Sequence, residues 1–196
     1  MSPEAQAFDA VAQVFEKLGV QYCIVGSVAA YSHGHGRATN DVDVIVAQLK
    51  TAHVSLVSQA LGGAYYISEE AMSEAITRGG NFNLIHHGTG FKIDVFVCDG
   101  PTYERQVLAR RERMGLFEDE EPQFYVESVE DVVLSKLRWF RLGGQASERQ
   151  WSDVLGVLKV NVFTLDFAYL DHWAVQLKIA DLLEKAFDEA GIKGKE

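Results

Sequence analysis

Two aspartates separated by one valine, Asp41 and Asp43, open the apolar run DVDVIV. Side chains alternate between the two faces of a β-strand, so both carboxylates lie on one face while the valines face the core. A third aspartate, Asp94, lies in the later apolar run FKIDVFV. Pairing of these strands would gather three carboxylates, which costs repulsion and desolvation unless a cation lies between them.

The donor chemistry of these carboxylates indicates which cation that would be. Oxygen donors without cysteine or histidine at ligand spacing suit Mg²⁺ rather than zinc. A pair of such ions about 3.5–4 Å apart can activate an attacking oxygen and stabilise a leaving phosphate. The sequence therefore indicates a magnesium site.

A Gly-Ser pair, Gly26 and Ser27, follows the apolar run VQYCIV, and the Asp-x-Asp motif begins 14 residues after Ser27. Glycine lets the backbone approach a ligand closely, and amides at the start of a following helix can bind an anion. The serine adds a hydroxyl donor. Each motif alone is common in proteins with other roles, so the inference depends on their conjunction. A phosphate-binding turn beside a metal cluster is what phosphoryl and nucleotidyl transfer require.

The elements that must position these residues alternate in the first part of the chain. Runs with a two-residue period predict four or five strands, at VQYCIV, TNDVDVIV, AYYI, FNLIHH and FKIDVFV, with a GTG hairpin between the last two. Serines at N-cap positions open the predicted helices: Ser2, Ser68, Ser128 and Ser147. We predict an α+β fold, with a mixed sheet flanked by helices over residues 1–126 and an α-helical C-terminal region over residues 127–196.

Composition restricts the function classes. The chain has 196 residues, 47% of them hydrophobic and 23% charged, which suits one globular domain or a core with a helical appendage. Its net charge of −10 argues against broad binding of nucleic acid. The basic run YERQVLARRER is either a patch that docks the end of an RNA or a solvated helix face balanced by the acidic FEDEE.

The sequence also predicts the cellular setting. We expect no membrane partner, because no run approaches 18 uncharged apolar residues and the N-terminus does not resemble a signal peptide. Cys23 and Cys98 lie in apolar runs and are expected to be free thiols. The expected location is the cytoplasm.

The stretch GSVAAYSHGHGRATNDVDV, taken with the later strand aspartate, resembles the signature of the DNA polymerase β-like nucleotidyltransferase superfamily. It is most similar to small prokaryotic minimal nucleotidyltransferases, including toxin-like members of toxin–antitoxin and abortive-infection systems. This catalytic resemblance covers roughly residues 20–98. Residues 127–158 also resemble helices of the toxin-like group that carry a lysine and an aspartate.

The resemblance implies roles for the matching residues. Asp41, Asp43 and Asp94 would be the catalytic residues and would bind two Mg²⁺ ions. The third aspartate would serve the metal on the acceptor side, which makes Asp94 the candidate to activate the acceptor hydroxyl. Gly26 and Ser27 would hold the phosphates of an NTP such as ATP. A contact to nucleotide or substrate is implied for four further residues: Arg37, Thr39, Lys136 and Asp153.

The resulting hypothesis is a Mg²⁺-dependent nucleotidyltransferase that moves NMP from an NTP to a hydroxyl on an RNA end, a protein or a small molecule. A toxin-like member would have an antitoxin as partner. No recognisable substrate-binding domain accompanies the core motifs, so the acceptor and the nucleobase stay open. The alternative is a catalytically silent nucleotide-binding or protein-interaction module with the same fold, against which the intact set of three aspartates argues.

Overall fold

The computed structural model describes residues 2–36, 39–100, 102–116 and 122–192. The strands are β1 (Gln21–Val25), β2 (Asp41–Ala47), β3 (Tyr65–Ile67), β4 (Gly80–His86), β5 (Lys92–Val97), β6 (Glu112–Met114) and β7 (Phe124–Val126). The helices are α1 (Pro3–Lys17), α2 (Gly26–Ser32), α3 (Val54–Leu61), α4 (Glu69–Arg78), α5 (Tyr103–Arg110), α6 (Val129–Leu142), α7 (Glu148–Asn161), α8 (Phe167–Gln176) and α9 (Ala180–Ala190). A 3₁₀ turn at Thr51–His53 precedes α3.

The chain forms two compact units. The first comprises Met1–Val28 and Ala38–Glu127, and the second comprises Ala29–Arg37 and Ser128–Glu196. Within the described ranges, no helix has the combination of length and apolar character needed to cross a membrane.

The first unit is built on one mixed sheet with the strand order β3-β4-β5-β2-β1-β7-β6. β2 pairs in parallel with β5, β1 pairs in parallel with β7, and the other neighbours are antiparallel. The predicted GTG hairpin is confirmed, because β4 and β5 are antiparallel neighbours. Over the described residues the sheet has seven strands rather than four or five, because the two 3-residue strands β6 and β7 lie in a part of the sequence without an apolar run of alternating period.

The alternation predicted for β2 and β5 is confirmed by burial. Val42, Val44 and Val46 of β2 are buried, as are Ile93 and Val95 of β5. At the start of the two strands the opposite face carries Asp41, Asp43, Lys92 and Asp94, whereas further along β2 the residues of that face, Ile45 and Ala47, are also buried. Cys23 and Cys98 are free thiols, as expected.

Helix α1 covers part of the sheet with aromatic side chains. It begins at Ser2, whose hydroxyl accepts from the amide of Ala5 at 3.1 Å, as the N-cap pattern predicts. Phe8 and Phe15 are fully buried, and their ring centroids lie 5.8 and 6.4 Å from that of Tyr22 on β1. This packing fixes β1, the strand that leads into the Gly-Ser turn.

The second unit is helical, as predicted for the C-terminal region. Ser128 caps α6: its hydroxyl accepts from the Asp131 amide at 3.3 Å and donates to the Asp131 carboxylate at 2.9 Å. The hydroxyl of Tyr169 on α8 donates to the other oxygen of Asp131 at 2.7 Å. The buried Asp131 side chain therefore joins the cap of α6 to α8.

Candidate active site

Asp41, Asp43 and Asp94 lie on one face of two neighbouring parallel strands. Asp43 is the cross-strand partner of Asp94, and Asp41 is the partner of Lys92. Asp43 also pairs with Val25, the last residue of β1. The three carboxylates therefore lie where β1 ends and β2 begins, beside the Gly-Ser turn.

Gly26 brings that turn directly against Asp43. Its φ of +74° belongs to the left-handed region that other residues rarely adopt, and an added Cβ would lie 2.6 Å from the Asp43 carboxylate. The next residue, Ser27, is partly exposed, and its hydroxyl makes no hydrogen bond to any residue that the structure describes. Ser27 is therefore able to donate to a ligand beside Asp43.

The Gly26 amide already has a protein partner. It donates to the Oε1 atom of Glu127 at 2.9 Å, and the Glu127 amide donates to the Ile24 carbonyl at 2.9 Å. Glu127 is fully buried and directly follows β7. The turn is thus held from behind by a carboxylate, and Gly26 contributes space for the close approach rather than a free amide.

Lys92 places a positive charge among the carboxylates. Its Nζ atom lies 2.7 Å from the Oδ2 atom of Asp94. This hydrogen bond raises the pKa of Lys92, and the charges of Asp94, Asp41 and Asp43 act in the same direction against partial desolvation. Asn83, the partner of Asp94 on β4, donates to its other oxygen at 3.0 Å when the amide nitrogen faces the carboxylate.

The carboxylates are at present directed to protein partners. Within the described residues, no three Asp, Glu, His or Cys side chains are arranged around a common point for a metal ion. Asp94 pairs with Lys92, and an oxygen of Asp41 accepts from the hydroxyl of Thr39. The donor set still fits a hard divalent cation, because it supplies three carboxylates on one face and already attracts an ammonium group.

Two other predicted site residues, Lys136 and Asp153, contact each other within the second unit. The Lys136 Nζ atom on α6 lies 2.8 Å from the Asp153 Oδ2 atom on α7, and the side chains are only 7% and 13% exposed. The structure thus shows a mostly buried ion pair between two helices. Arg37, also predicted to contact the nucleotide, lies outside the described residues.

The histidines of the SHGHGR loop lie against α7. The side-chain amide of Asn161 donates to the His33 carbonyl at 2.9 Å. The ring of His35 lies over Gly156, where an added Cβ would fall 2.2 Å from three ring atoms. Glycine inside a helix costs about 1 kcal/mol relative to alanine, and the space for this ring explains its presence.

Three residues of the site are absent from the sequence motifs. The sequence alone could have indicated Lys92, because it lies two residues before Asp94 and therefore shares the same face of the strand. Asn83 follows only once the register of the hairpin is known. Glu127 contacts Gly26 across 101 residues of sequence through the pairing of β1 with the very short β7, and local patterns contain no signal for that contact.

Comparison with known proteins identifies the fold. The sequence matches no protein-family model and no curated protein. An antigenic nucleotidyltransferase-like protein from Paracoccidioides brasiliensis superposes with a TM-score of 0.61 at 16% identity, over 96% of this chain and 92% of that one. The lincosamide antibiotic adenylyltransferase LnuA, lincomycin-bound, gives a TM-score of 0.50 at 15% identity, over 82% and 98% of the two chains.

A third solved structure has a similar fold. The antibiotic-resistance factor ANT(2'')-Ia gives a TM-score of 0.53 at 9% identity, over 93% of this chain and 92% of that one. At such identities the similarity concerns the fold and not the activity. The chain therefore shares its α+β fold with these solved structures, two of which are named as a nucleotidyltransferase-like protein and an adenylyltransferase, and the predicted α+β fold is confirmed.

Proposed function

We propose that this protein is a metal-dependent nucleotidyltransferase that transfers NMP from an NTP to a hydroxyl acceptor. One observation carries the proposal: Asp41, Asp43 and Asp94 share one sheet face, directly beside the Gly26–Ser27 turn. A sheet face that exists only for packing has no reason to gather three carboxylates, because their repulsion and desolvation oppose folding. The nucleotidyltransferase fold is consistent with this proposal.

The positions of the residues support a proposed role for each of them. Asp41, Asp43 and Asp94 would hold two Mg²⁺ ions, which when bound would neutralise the triphosphate and the leaving pyrophosphate. Ser27 would donate to a phosphate oxygen, and Gly26, which lacks a Cβ, would let this turn lie directly against Asp43. Thr39 would orient Asp41 through its hydrogen bond.

In the proposed reaction the acceptor oxygen forms a bond to the α-phosphorus of the NTP. The bond between that phosphorus and the oxygen that bridges the α- and β-phosphates breaks. Pyrophosphate leaves with the bonding electrons, and the hydroxyl proton passes to a base, for which Asp94 is the candidate. No protein nucleophile is needed, so catalysis depends on positioning and charge neutralisation. We keep Arg37, Lys136 and Asp153 as proposed contacts to nucleotide or substrate.

For the acceptor we propose a small cationic molecule that carries a hydroxyl group. The net charge of −10 favours a cationic acceptor over a polyanion. The names of two structural neighbours, an antibiotic adenylyltransferase and an antibiotic-resistance factor, agree with a small acceptor. The basic run is partly engaged elsewhere, since Arg111 and Arg113 lie 4.4 and 4.9 Å over the Tyr125 ring and Arg113 pairs with Glu16 at 3.3 Å, which leaves fewer side chains available to an RNA end.

A toxin-like transferase that modifies an RNA end or a protein and is silenced by an antitoxin is a second candidate. The motif resemblance of residues 127–158 supports it. The two candidates share the site and the reaction and differ in the acceptor, so one labelling experiment distinguishes them.

The test incubates the protein and MgCl₂ with each NTP, labelled at either the α- or the γ-phosphate. Hydroxyl-bearing cationic small molecules, tRNA and cell-extract protein serve as separate acceptors. We expect transfer of the α-label with release of pyrophosphate, and none with Asp43→Asn. Transfer of the γ-label would identify a kinase instead, and nucleotide binding without transfer to any acceptor would favour the silent module.

A further inference from the structure

Lys92 and Asp94 form an ion pair on the strand that carries the third carboxylate of the site. The Lys92 Nζ atom lies 2.7 Å from Asp94 Oδ2. The side chain of Asp94 is 13% exposed, whereas that of Lys92 is 40% exposed. The ammonium therefore reaches a largely buried carboxylate from the solvent side of the strand.

The strand register places this ammonium among all three carboxylates. Lys92 and Asp94 are two residues apart on β5 and share a face. Lys92 is the cross-strand partner of Asp41, and Asp94 is the partner of Asp43. The four side chains thus form a two-by-two array, with three negative charges and one positive charge.

We propose that Lys92 is the resident counter-cation of this carboxylate cluster, and that a divalent cation must displace it from Asp94 in order to bind. This inference rests on the proposed function only in taking the cluster as the metal site. It adds a competition between a side chain of the protein and the metal, which tunes the Mg²⁺ concentration that the protein requires.

Mg²⁺ and the Lys92 ammonium group compete because both would bind the same carboxylate oxygen of Asp94. Mg²⁺ binds carboxylate oxygens at about 2.0–2.1 Å in a strict octahedral arrangement and tolerates little distortion. An ammonium group held 2.7 Å from Asp94 Oδ2 would repel a cation at the same oxygen, so the pair must open. Lys92 can leave at small cost, because its long, partly exposed side chain can extend into water.

The expected effect is moderate. Ion pairs with one exposed partner contribute about 0.2–1 kcal/mol, which corresponds to a factor of about 1.5 to 5 in a binding constant. Removing Lys92 should therefore strengthen Mg²⁺ binding by about 1.5- to five-fold, and it should lower the melting temperature of the metal-free protein because the three carboxylates lose their counter-charge.

The experiment uses the full chain and Mg²⁺ alone, without nucleotide. Wild type, Lys92→Met, Lys92→Arg and Asp43→Asn are titrated with MgCl₂ at constant ionic strength, and binding is followed by calorimetry and by melting temperature. Lys17→Met is the matched control, because it removes the same charge from an exposed position at the end of α1.

We expect Lys92→Met to melt below wild type without metal, to bind Mg²⁺ about 1.5- to five-fold more tightly, and to gain more stability from it. Lys92→Arg and Lys17→Met should resemble wild type. Equal or weaker Mg²⁺ binding by Lys92→Met than by wild type would overturn the inference while leaving the proposed function intact. If wild type binds no Mg²⁺ and Asp43→Asn behaves identically, the metal site fails, and the inference fails with it.

Discussion

At the scale of single residues, the contact between Gly26 and Asp43 joins the two motifs of the site. The turn comes so close to the strand that a methyl group at position 26 would overlap the Asp43 carboxylate. The backbone of Gly26 is also in the left-handed region. Two independent physical requirements, conformation and space, therefore select glycine at this position.

These two requirements can be separated by experiment. Gly19 has a similar φ of +69°, but an added Cβ there meets nothing within 4 Å. Gly19→Ala should therefore lose only the conformational cost, about 1 kcal/mol, and should keep its activity. Gly26→Ala should lose more stability and most Mg²⁺–ATP binding, because Asp43 must move. Urea unfolding and nucleotide titration of both variants measure this, and equal behaviour of the two would show that the close contact does not matter.

The residues of the candidate site differ in how far the sequence could predict them. The two-residue period placed Asp41, Asp43 and Asp94 on the polar face, because burial of the alternate valines fixes the register of each strand. The same rule places Lys92 beside Asp94 but does not say which carboxylate it contacts. Glu127 could not be predicted, because its contact with Gly26 depends on a strand pair with a single register contact.

At the scale of elements, helices α6 and α7 are joined by the ion pair of Lys136 with Asp153. Both side chains are mostly buried, so neither charge is well solvated without the other. The capping serines and the apolar faces of these helices could be predicted from the sequence. The pairing of the two charges could not, because it depends on how the helices pack.

We expect Lys136→Met to lose about 3–5 kcal/mol of stability, because it leaves the Asp153 charge buried and unpaired. The double variant Lys136→Met/Asp153→Leu should recover most of that loss, since it removes both charges together. Lys159→Met, at an exposed position on α7, is the control and should change little. Chemical denaturation of the four proteins gives these values. If Lys136→Met were as stable as wild type, the ion pair between Lys136 and Asp153 would contribute nothing to the free energy of unfolding.

At the scale of the whole molecule, the apolar packing between α1 and the sheet contributes to the pH dependence of stability in alkali. Tyr22 is 1% exposed, and its hydroxyl donates to Glu16 at 3.2 Å. Burial, reinforced by the charge of Glu16, raises the pKa of Tyr22 well above its ordinary value of 10.0. The folded protein therefore keeps a proton that the unfolded chain releases in alkali.

Because the proton is held more tightly in the folded protein, Tyr22 stabilises the folded state at neutral pH and loses this effect in alkali. Its contribution to the free energy of unfolding is fully present below pH 10. It falls by about 1.4 kcal/mol per pH unit as pH rises from the pKa of the unfolded chain toward that of the folded protein. Wild type should therefore lose stability in alkali more steeply than Tyr22→Phe. Tyr66→Phe, at a tyrosine that is 58% exposed, should follow wild type. Urea midpoints between pH 8 and 11 test this, and parallel curves for wild type and Tyr22→Phe would refute it.

Local sequence patterns predict some features of the fold, and others depend on pairing between distant parts of the chain. Strands β1 to β5 of the first unit, its hairpin and the helical second unit follow from periodicity and capping residues, whereas β6 and β7 do not. The strand order does not, because β7 is inserted beside β1 from a distant part of the chain and carries Glu127 to the back of the Gly-Ser turn. The contact from Glu127 that supports the Gly-Ser turn therefore depends on tertiary structure and could not be predicted from local sequence patterns.

The central claim is that the aspartates and the Gly-Ser turn together bind a metal–nucleotide complex. The most direct measurement is the gain in melting temperature on adding ATP, MgCl₂ or both to wild type, Ser27→Ala and Asp43→Asn. The melting temperature of wild type should rise most when ATP and MgCl₂ are both present. When the Mg²⁺–ATP concentration is one hundred times its Kd, binding adds about 2.7 kcal/mol to the free energy of unfolding. Ser27→Ala should gain less, because it lacks one hydrogen bond to a charged group, worth about 1.5–3 kcal/mol. Asp43→Asn should gain little, and a gain equal to that of wild type would contradict the claim.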